Sequence, residues 1–175
     1  MVFGVFAYFR QKDVPKVLVF SKTKGFRHSS IPQGIAAIQK LGQEHNFTVD
    51  TTENAGRFTE DNLKQYAAVV FLSTTGDVLN PVQQADFERY IQAGGGYVGI
   101  HAATDTEYGW PWYNKLSGAY FASHPGNPNV QQGTAHVINR KHPSTKGLPK
   151  KWTRTDEFYD FKSFNPDVKV LIKID

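Results

Sequence analysis

Apolar runs of strand length alternate along this chain with stretches whose apolar residues recur at helical spacing. Lys16-Val17-Leu18-Val19-Phe20-Ser21 predicts a first strand, and the unbroken Ala67-Ala68-Val69-Val70-Phe71-Leu72 a central one covered on both faces. Tyr97 to Ile100 reads the same way, as a further central strand that follows the triplet Gly94-Gly95-Gly96. Between the first two lies a helix opened by Ser30, with Gln33 placed for a capping box and Ile31, Ile35, Ile38 and Leu41 forming one apolar face. Phe47 to Thr51 alternates as a short strand, and Thr59 starts a brief helix through Leu63 and Tyr66. Asn80-Pro81 with Gln83 opens another helix, which buries Phe87, Tyr90 and Ile91 and stops at the glycines. Strands separated by helices in this way mean βαβ crossovers and a parallel sheet. Beyond Tyr113 the pattern loosens into loops around a strand from Thr134 to Ile138, and a last strand is expected from Val168 to Ile174.

A parallel sheet gathers the segments that follow its strands at one edge, where ligands bind. Here those segments are Lys22 to Ser30, Ser73 to Asp77 and His101 to Asp105. The expected rim therefore holds His28, Asp77, His101, Thr104 and Asp105, with Lys24 and Arg27 nearby. Gly99-Ile100-His101-Ala102-Ala103 has the small-x-residue-x-small spacing of a nucleophile elbow, with histidine at the apex. An imidazole there suits a general base or a metal ligand. Asp105 would orient it or cap the following turn, and His124 is a loop histidine with ligand or structural roles equally open. Trp110, Trp112 and Tyr113 come directly after the rim; aromatic rings stack on sugar faces, and they also pin loops down. Asp156-Glu157-Phe158-Tyr159-Asp160 adds carboxylates whose place relative to the rim the sequence does not give.

Composition narrows the chemistry more than it suggests any. The 175 residues are enough for one domain with a sizeable core. With no cysteine there is no disulfide, thiolate metal site or thiol nucleophile. No His-x-x-x-His spacing signals a metal, so a divalent cation is compatible with the residues but not announced by them. The net charge of +4 collects partly in Arg140, Lys141, Lys146, Lys150, Lys151 and Arg154, a run broken by proline and glycine without interleaved aromatics. It reads as a solvated loop and not as a nucleic-acid surface. No apolar run is long enough to span a bilayer. Val2 to Phe9 is apolar but lacks a basic flank and a cleavage site. Residues 1–15 thus read as an extension or the remnant of an export signal, leaving exported and cytoplasmic locations both open.

Several stretches together resemble the ThuA-like (trehalose utilisation) family. They are Lys22-Thr23-Lys24-Gly25-Phe26-Arg27-His28-Ser29-Ser30-Ile31, Thr74-Thr75-Gly76-Asp77, Gly99 to Asp105, Trp110-Pro111-Trp112-Tyr113, His142 to Thr145 and Trp152 to Glu157. The resemblance runs from about Lys16 to the end. It implies a flavodoxin-like three-layer α/β sandwich with a mainly parallel sheet, related to class I glutamine amidotransferases. It also implies carbohydrate catabolism, acting on disaccharides or their keto derivatives, with a small-molecule sugar as partner and homo-oligomers open. The amidotransferase cysteine falls where this chain has His101, so glutamine hydrolysis through a thioester is excluded. On this reading His101, Asp105, His28 and Asp77 are the catalytic candidates. Lys24, Phe26, Arg27, Thr75, Gly76, Thr104, Glu107, Trp110, Trp112, Tyr113 and His124 are the candidates for holding substrate. A non-catalytic sugar-binding domain on the same scaffold is the alternative. Family members usually continue past the last strand, so residues 16–175 are expected to lack a C-terminal segment.

Overall fold

A computed structural model describes residues 14–175. The proposed N-terminal extension falls almost wholly outside the described residues. Four parallel strands form the central sheet: β1 (Lys16–Phe20), β2 (Thr48–Thr52), β3 (Ala68–Leu72) and β4 (Gly96–Ile100), in the order β2-β1-β3-β4. The helices α1 (Ile31–His45), α2 (Glu60–Leu63) and α3 (Pro81–Gln92) lie in the crossovers, as the alternation predicts. α4 (Pro111–Ser117) follows β4 after a 3₁₀ turn at His101–Asp105.

Period-two alternation explains how Val17–Phe20 of β1 and all of β3 can be continuously apolar. Leu18, Phe20, Val69 and Phe71 face a large aromatic core with Phe58, Phe87, Tyr90, Trp110 and Tyr113. Val19, Val70 and Leu72 face the other way, onto Ile31, Ile35 and Ile38 of α1. Two glycines let α1 approach: a Cβ at Gly34 would stand 2.9 Å from Leu72 Cδ1, and one at Gly42 2.6 Å from the Phe47 carbonyl oxygen. Gly42 rather than Leu41 completes the buried face, and Leu41 is left exposed.

Three local expectations change. Ser30 is helical in conformation and makes no side-chain cap, so the capping box predicted for α1 does not form; the one at Asn80 and Gln83 does. β4 is an edge strand among the described residues, not a central one. α1 packs over β2 and β3, and Val98 on the same face of β4 remains 47% exposed. The last strand is shorter than expected, Ile172–Ile174.

The remaining chain builds two small antiparallel sheets. β5 (Tyr120–Ser123) pairs with β8 (Asp160–Lys162), and β6 (Val130–Val137) lies between β7 (Lys151–Glu157) and β9 (Ile172–Ile174). The sequence pattern anticipates β6 but not β7, whose side chains are mostly exposed or half-buried and so carry little apolar signal. β7 matters because its last residue, Glu157, is delivered to the rim of the parallel sheet. No helix of the described residues is long and apolar enough to cross a membrane.

Candidate functional site

The three rim segments meet as the parallel topology requires. Past the strand ends they stay in register through isolated bridges, Thr23 to Thr75 and Gly76 to Thr106. Buried Thr75 holds the first loop: its Oγ1 accepts from Gly25 N at 3.1 Å and donates to the Phe26 carbonyl at 3.0 Å. Gly76, at φ +73°, is where its loop turns, and its N–H donates to the Asp105 carbonyl at 2.8 Å. Thr75 therefore shapes the rim through its hydroxyl and Gly76 through its backbone.

His101 occupies the elbow in the strained form the spacing suggests. Its φ is +52°, a left-handed conformation unusual for a side chain of this size, at the abrupt change from β4 to the 3₁₀ turn. Small neighbours permit it. A Cβ at Gly99 would lie 2.6 Å from Tyr97 Oη and 3.3 Å from Ala103 Cβ, while Ala103 itself is buried. Thr104 Oγ1 donates to the His101 carbonyl at 3.3 Å and braces the turn.

The elbow carries the imidazole into a cluster of four polar groups. His101 Nε2 lies 3.1 Å from His28 Nε2, 3.0 Å from Glu157 Oε2 and 3.0 Å from Tyr159 Oη. His28 Nε2 lies 3.5 Å from Glu157 Oε2 and 3.3 Å from Tyr159 Oη. The second carboxylate oxygen, Oε1, accepts from Asn129 Nδ2 at 2.6 Å and has His124 Nε2 at 3.7 Å. Burial, reinforced by the neighbouring His28, holds the His101 pKa below its ordinary value, and the Glu157 carboxylate offsets this only in part. Burial alone would raise Glu157, but the Asn129 hydrogen bond and the His101 imidazole outweigh it and leave its pKa lowered. Burial, with Glu157 close by, pushes the Tyr159 phenol well above its ordinary range. At neutral pH the cluster thus combines an imidazole lone pair, a carboxylate and a protonated phenol. Such a set can take up or hand over a proton, and its His28 and His101 nitrogens with Glu157 Oε2 could instead hold a cation.

Two clefts flank the cluster. One, of about 180 Å³, is lined by Phe26, His28, Asp105, Phe121, His124 and Tyr159 among others. The other, of about 520 Å³, is lined by His101, Thr104, Glu157, Tyr159 and several apolar residues from the antiparallel sheets. Phe26 is 71% exposed and packs edge-on against His28, which puts it at the edge of the site.

Other expected site residues lie elsewhere or take a different part. Asp77 is exposed and lines a separate cleft with Lys22, Lys24 and Glu53, because its loop turns away after Gly76. Arg27 points outward to Glu53, 2.6 Å away. Asp105 does not orient His101; it accepts from Tyr108 Oη at 2.5 Å, and Glu157 takes the orienting place. Glu107 is 1% exposed and serves the fold: it accepts from the Val78 and Leu79 amides and from Gln84 Nε2. Trp110 and Tyr113 belong to the aromatic core, with Trp112 packed against it, so these rings pin their segment to the fold. Glu157 and Tyr159 are the residues the sequence singled out without placing. Their partner on the rim depends on how β7 pairs with β6, which no local pattern encodes.

A parallel α/β sheet with a histidine elbow at its carboxyl edge, met by a carboxylate from an added antiparallel sheet, defines the class of molecule. The family model described as ThuA, trehalose utilisation, matches residues 16–175, and the chain belongs to that family. Among solved structures it is similar to a ThuA-like protein from Bacteroides uniformis ATCC 8492, with 27% identity and a TM-score of 0.77 over 97% of this chain and 71% of that one. A ThuA-like protein from Parabacteroides merdae ATCC 43184 shares the fold at 23% identity and a TM-score of 0.63, over 83% of this chain and 63% of that one, so this chain spans less than two thirds of its length. A comparison with curated proteins finds no match.

Proposed function

We propose that this chain acts in carbohydrate catabolism on a disaccharide or its keto derivative, with the reaction centred on His101. The observation that carries this reading is the meeting of His28, Glu157 and Tyr159 at 3.0–3.1 Å around His101 Nε2, with His28 Nε2 also 3.5 Å from Glu157 Oε2, between two clefts. Membership of the trehalose utilisation family supports the substrate class. The lining supports it too. Phe26, Phe121 and Tyr159 offer apolar faces for a sugar ring, while Asp105, Asn129 and His124 offer hydrogen-bonding groups for its hydroxyls. The scaffold reading extends to the flavodoxin-like, amidotransferase-like class. The order β2-β1-β3-β4 supports it, as does an elbow with histidine where those enzymes carry cysteine.

Thermal shift against trehalose, other disaccharides and their 3-keto forms tests the reading, since a ligand of the folded state raises Tm with its affinity and concentration. A shift with at least one of them, reduced in Phe121→Ala, and turnover lost in His101→Ala are the expected results. Turnover and binding both unchanged in His101→Ala would remove the catalytic assignment. Binding without turnover in the wild type would favour a sugar-binding domain.

A further inference from the structure

We propose that His28 Nε2, His101 Nε2 and Glu157 Oε2 form the binding site of one divalent first-row transition cation of the kind that accepts mixed imidazole and carboxylate ligation, such as Zn²⁺ or Mn²⁺. This rests on the reading of the cluster as the functional centre and gives that centre its chemistry.

The argument begins with distances. The three atoms stand 3.1, 3.0 and 3.5 Å apart, close enough for one cation to touch all of them. Ligand atoms bonded at ~2.1 Å to one cation are separated by roughly 3.0–3.4 Å, depending on whether the geometry is octahedral or tetrahedral. A cation at ~2.1 Å from all three would sit about 1 Å out of their plane, which leaves its other side open. Two histidines and one carboxylate on a single face, with open positions opposite, is a recurrent metal-binding arrangement. An ordinary core histidine has a single carboxylate or carbonyl partner; here two imidazoles present the same ring nitrogen to each other and to one carboxylate oxygen.

The fold holds each of the three ligand positions. His101 is fixed by the strained elbow, and His28 by a loop pinned through Thr75. Glu157 has its free oxygen engaged by Asn129, an outer partner that orients a ligating carboxylate. Two neutral imidazoles and one carboxylate leave a bound divalent ion with a net positive charge. The clefts of about 180 and 520 Å³ give oxygen-rich molecules access to its open side. Tyr159 Oη, 3.0 Å from His101 Nε2, is placed to hydrogen-bond whatever oxygen fills an open position. The three ligands come from the loop after β1, the elbow after β4 and the end of β7, so no sequence spacing announces them.

The test uses the full chain without an affinity tag, stripped by chelator. Metal content by mass spectrometry and calorimetric titration with Zn²⁺ and Mn²⁺ are expected to give one equivalent. Co²⁺ is expected to give visible absorption bands of a nitrogen- and oxygen-ligated ion. His101→Ala and Glu157→Gln should weaken binding by more than the ~10–100-fold expected for loss of the outer partner in Asn129→Ala. His142→Ala, on a distant exposed turn, should leave it unchanged. A stripped chain that takes up no stoichiometric metal overturns the proposal, as does equal affinity in His101→Ala and Glu157→Gln folded normally by circular dichroism. Sugar-dependent shifts in Tm, measured on stripped and loaded protein, separate the two readings. Stabilisation by sugar without any metal uptake overturns the cation site alone. One equivalent of metal with no response to any sugar upholds the site and overturns the substrate assignment.

Discussion

Replacing Glu107 by alanine should unfold much of this protein's margin of stability without touching a ligand. The carboxylate is 1% exposed; its Oε1 accepts from Val78 N at 2.8 Å and Leu79 N at 2.7 Å, and its Oε2 from Gln84 Nε2 at 2.7 Å. Val78 and Leu79 are themselves buried, so alanine would leave two backbone N–H groups without water or protein partners. Each buried unsatisfied group costs about 1–3 kcal/mol, so the two together cost about 2–6 kcal/mol. Against a typical total of roughly 5–15 kcal/mol this is a large share. For a chain of this size it lowers Tm by about 5–20 °C. Glu107→Gln keeps one oxygen for both amides, and the Gln84 amide can turn to accept, so its loss should be near 1 kcal/mol. Thermal and urea unfolding of the two variants measure the difference. Glu107→Ala with a Tm within about 2 °C of wild type would refute the reasoning. Native stability with lost sugar binding would return Glu107 to the substrate site.

Two further predictions concern the elbow and the sheet edge. Gly99→Ala places a methyl 2.6 Å from Tyr97 Oη, whose hydrogen bond to Tyr113 Oη is 2.8 Å, so the elbow must shift. We expect turnover to fall at least about tenfold with a Tm loss of only a few degrees, because ångström-scale misplacement harms chemistry more than packing; unchanged kinetics would show the elbow geometry to be incidental. At the other end of the sheet, the Lys16 hydrogen bond holds the Asp50 carboxyl pKa below 3.8, aided by Tyr66, against the opposing effect of burial. A lowered carboxyl pKa adds stability that is present above pH 3.8 and is lost as pH falls through the lowered value. Acid unfolding followed by circular dichroism should therefore show wild type losing its advantage over Asp50→Asn below about pH 4; a gap that stays constant with pH would contradict the assignment.

Much of the scaffold is determined by the sequence alone, because the interactions that build it are local or periodic. The continuous apolar run at Ala68–Leu72 needs burial on two faces, which only a helix-covered sheet provides. The Asn80–Gln83 box starts α3 through contacts three residues apart. Gly99 and Ala103 allow the turn at His101 through the size of their own side chains. Parallel pairing then brings the loops bearing His28 and His101 together with no further information.

Tertiary structure decided what no window of sequence can encode. Trp110 and Tyr113 could have stacked on a ligand or on the core; direct ring contacts with Phe71 of β3 and Phe87 of α3, on the same face of the sheet, settle that they face the core. Asp77 follows β3 at the same remove as Asp105 follows β4, yet its loop turns outward after Gly76 and the carboxylate leaves the rim. Glu157 reaches His101 across 56 residues, through the register of β7 on β6. Such placement depends on long-range strand pairing, and a single carboxylate on a half-exposed strand leaves no periodic trace of its destination.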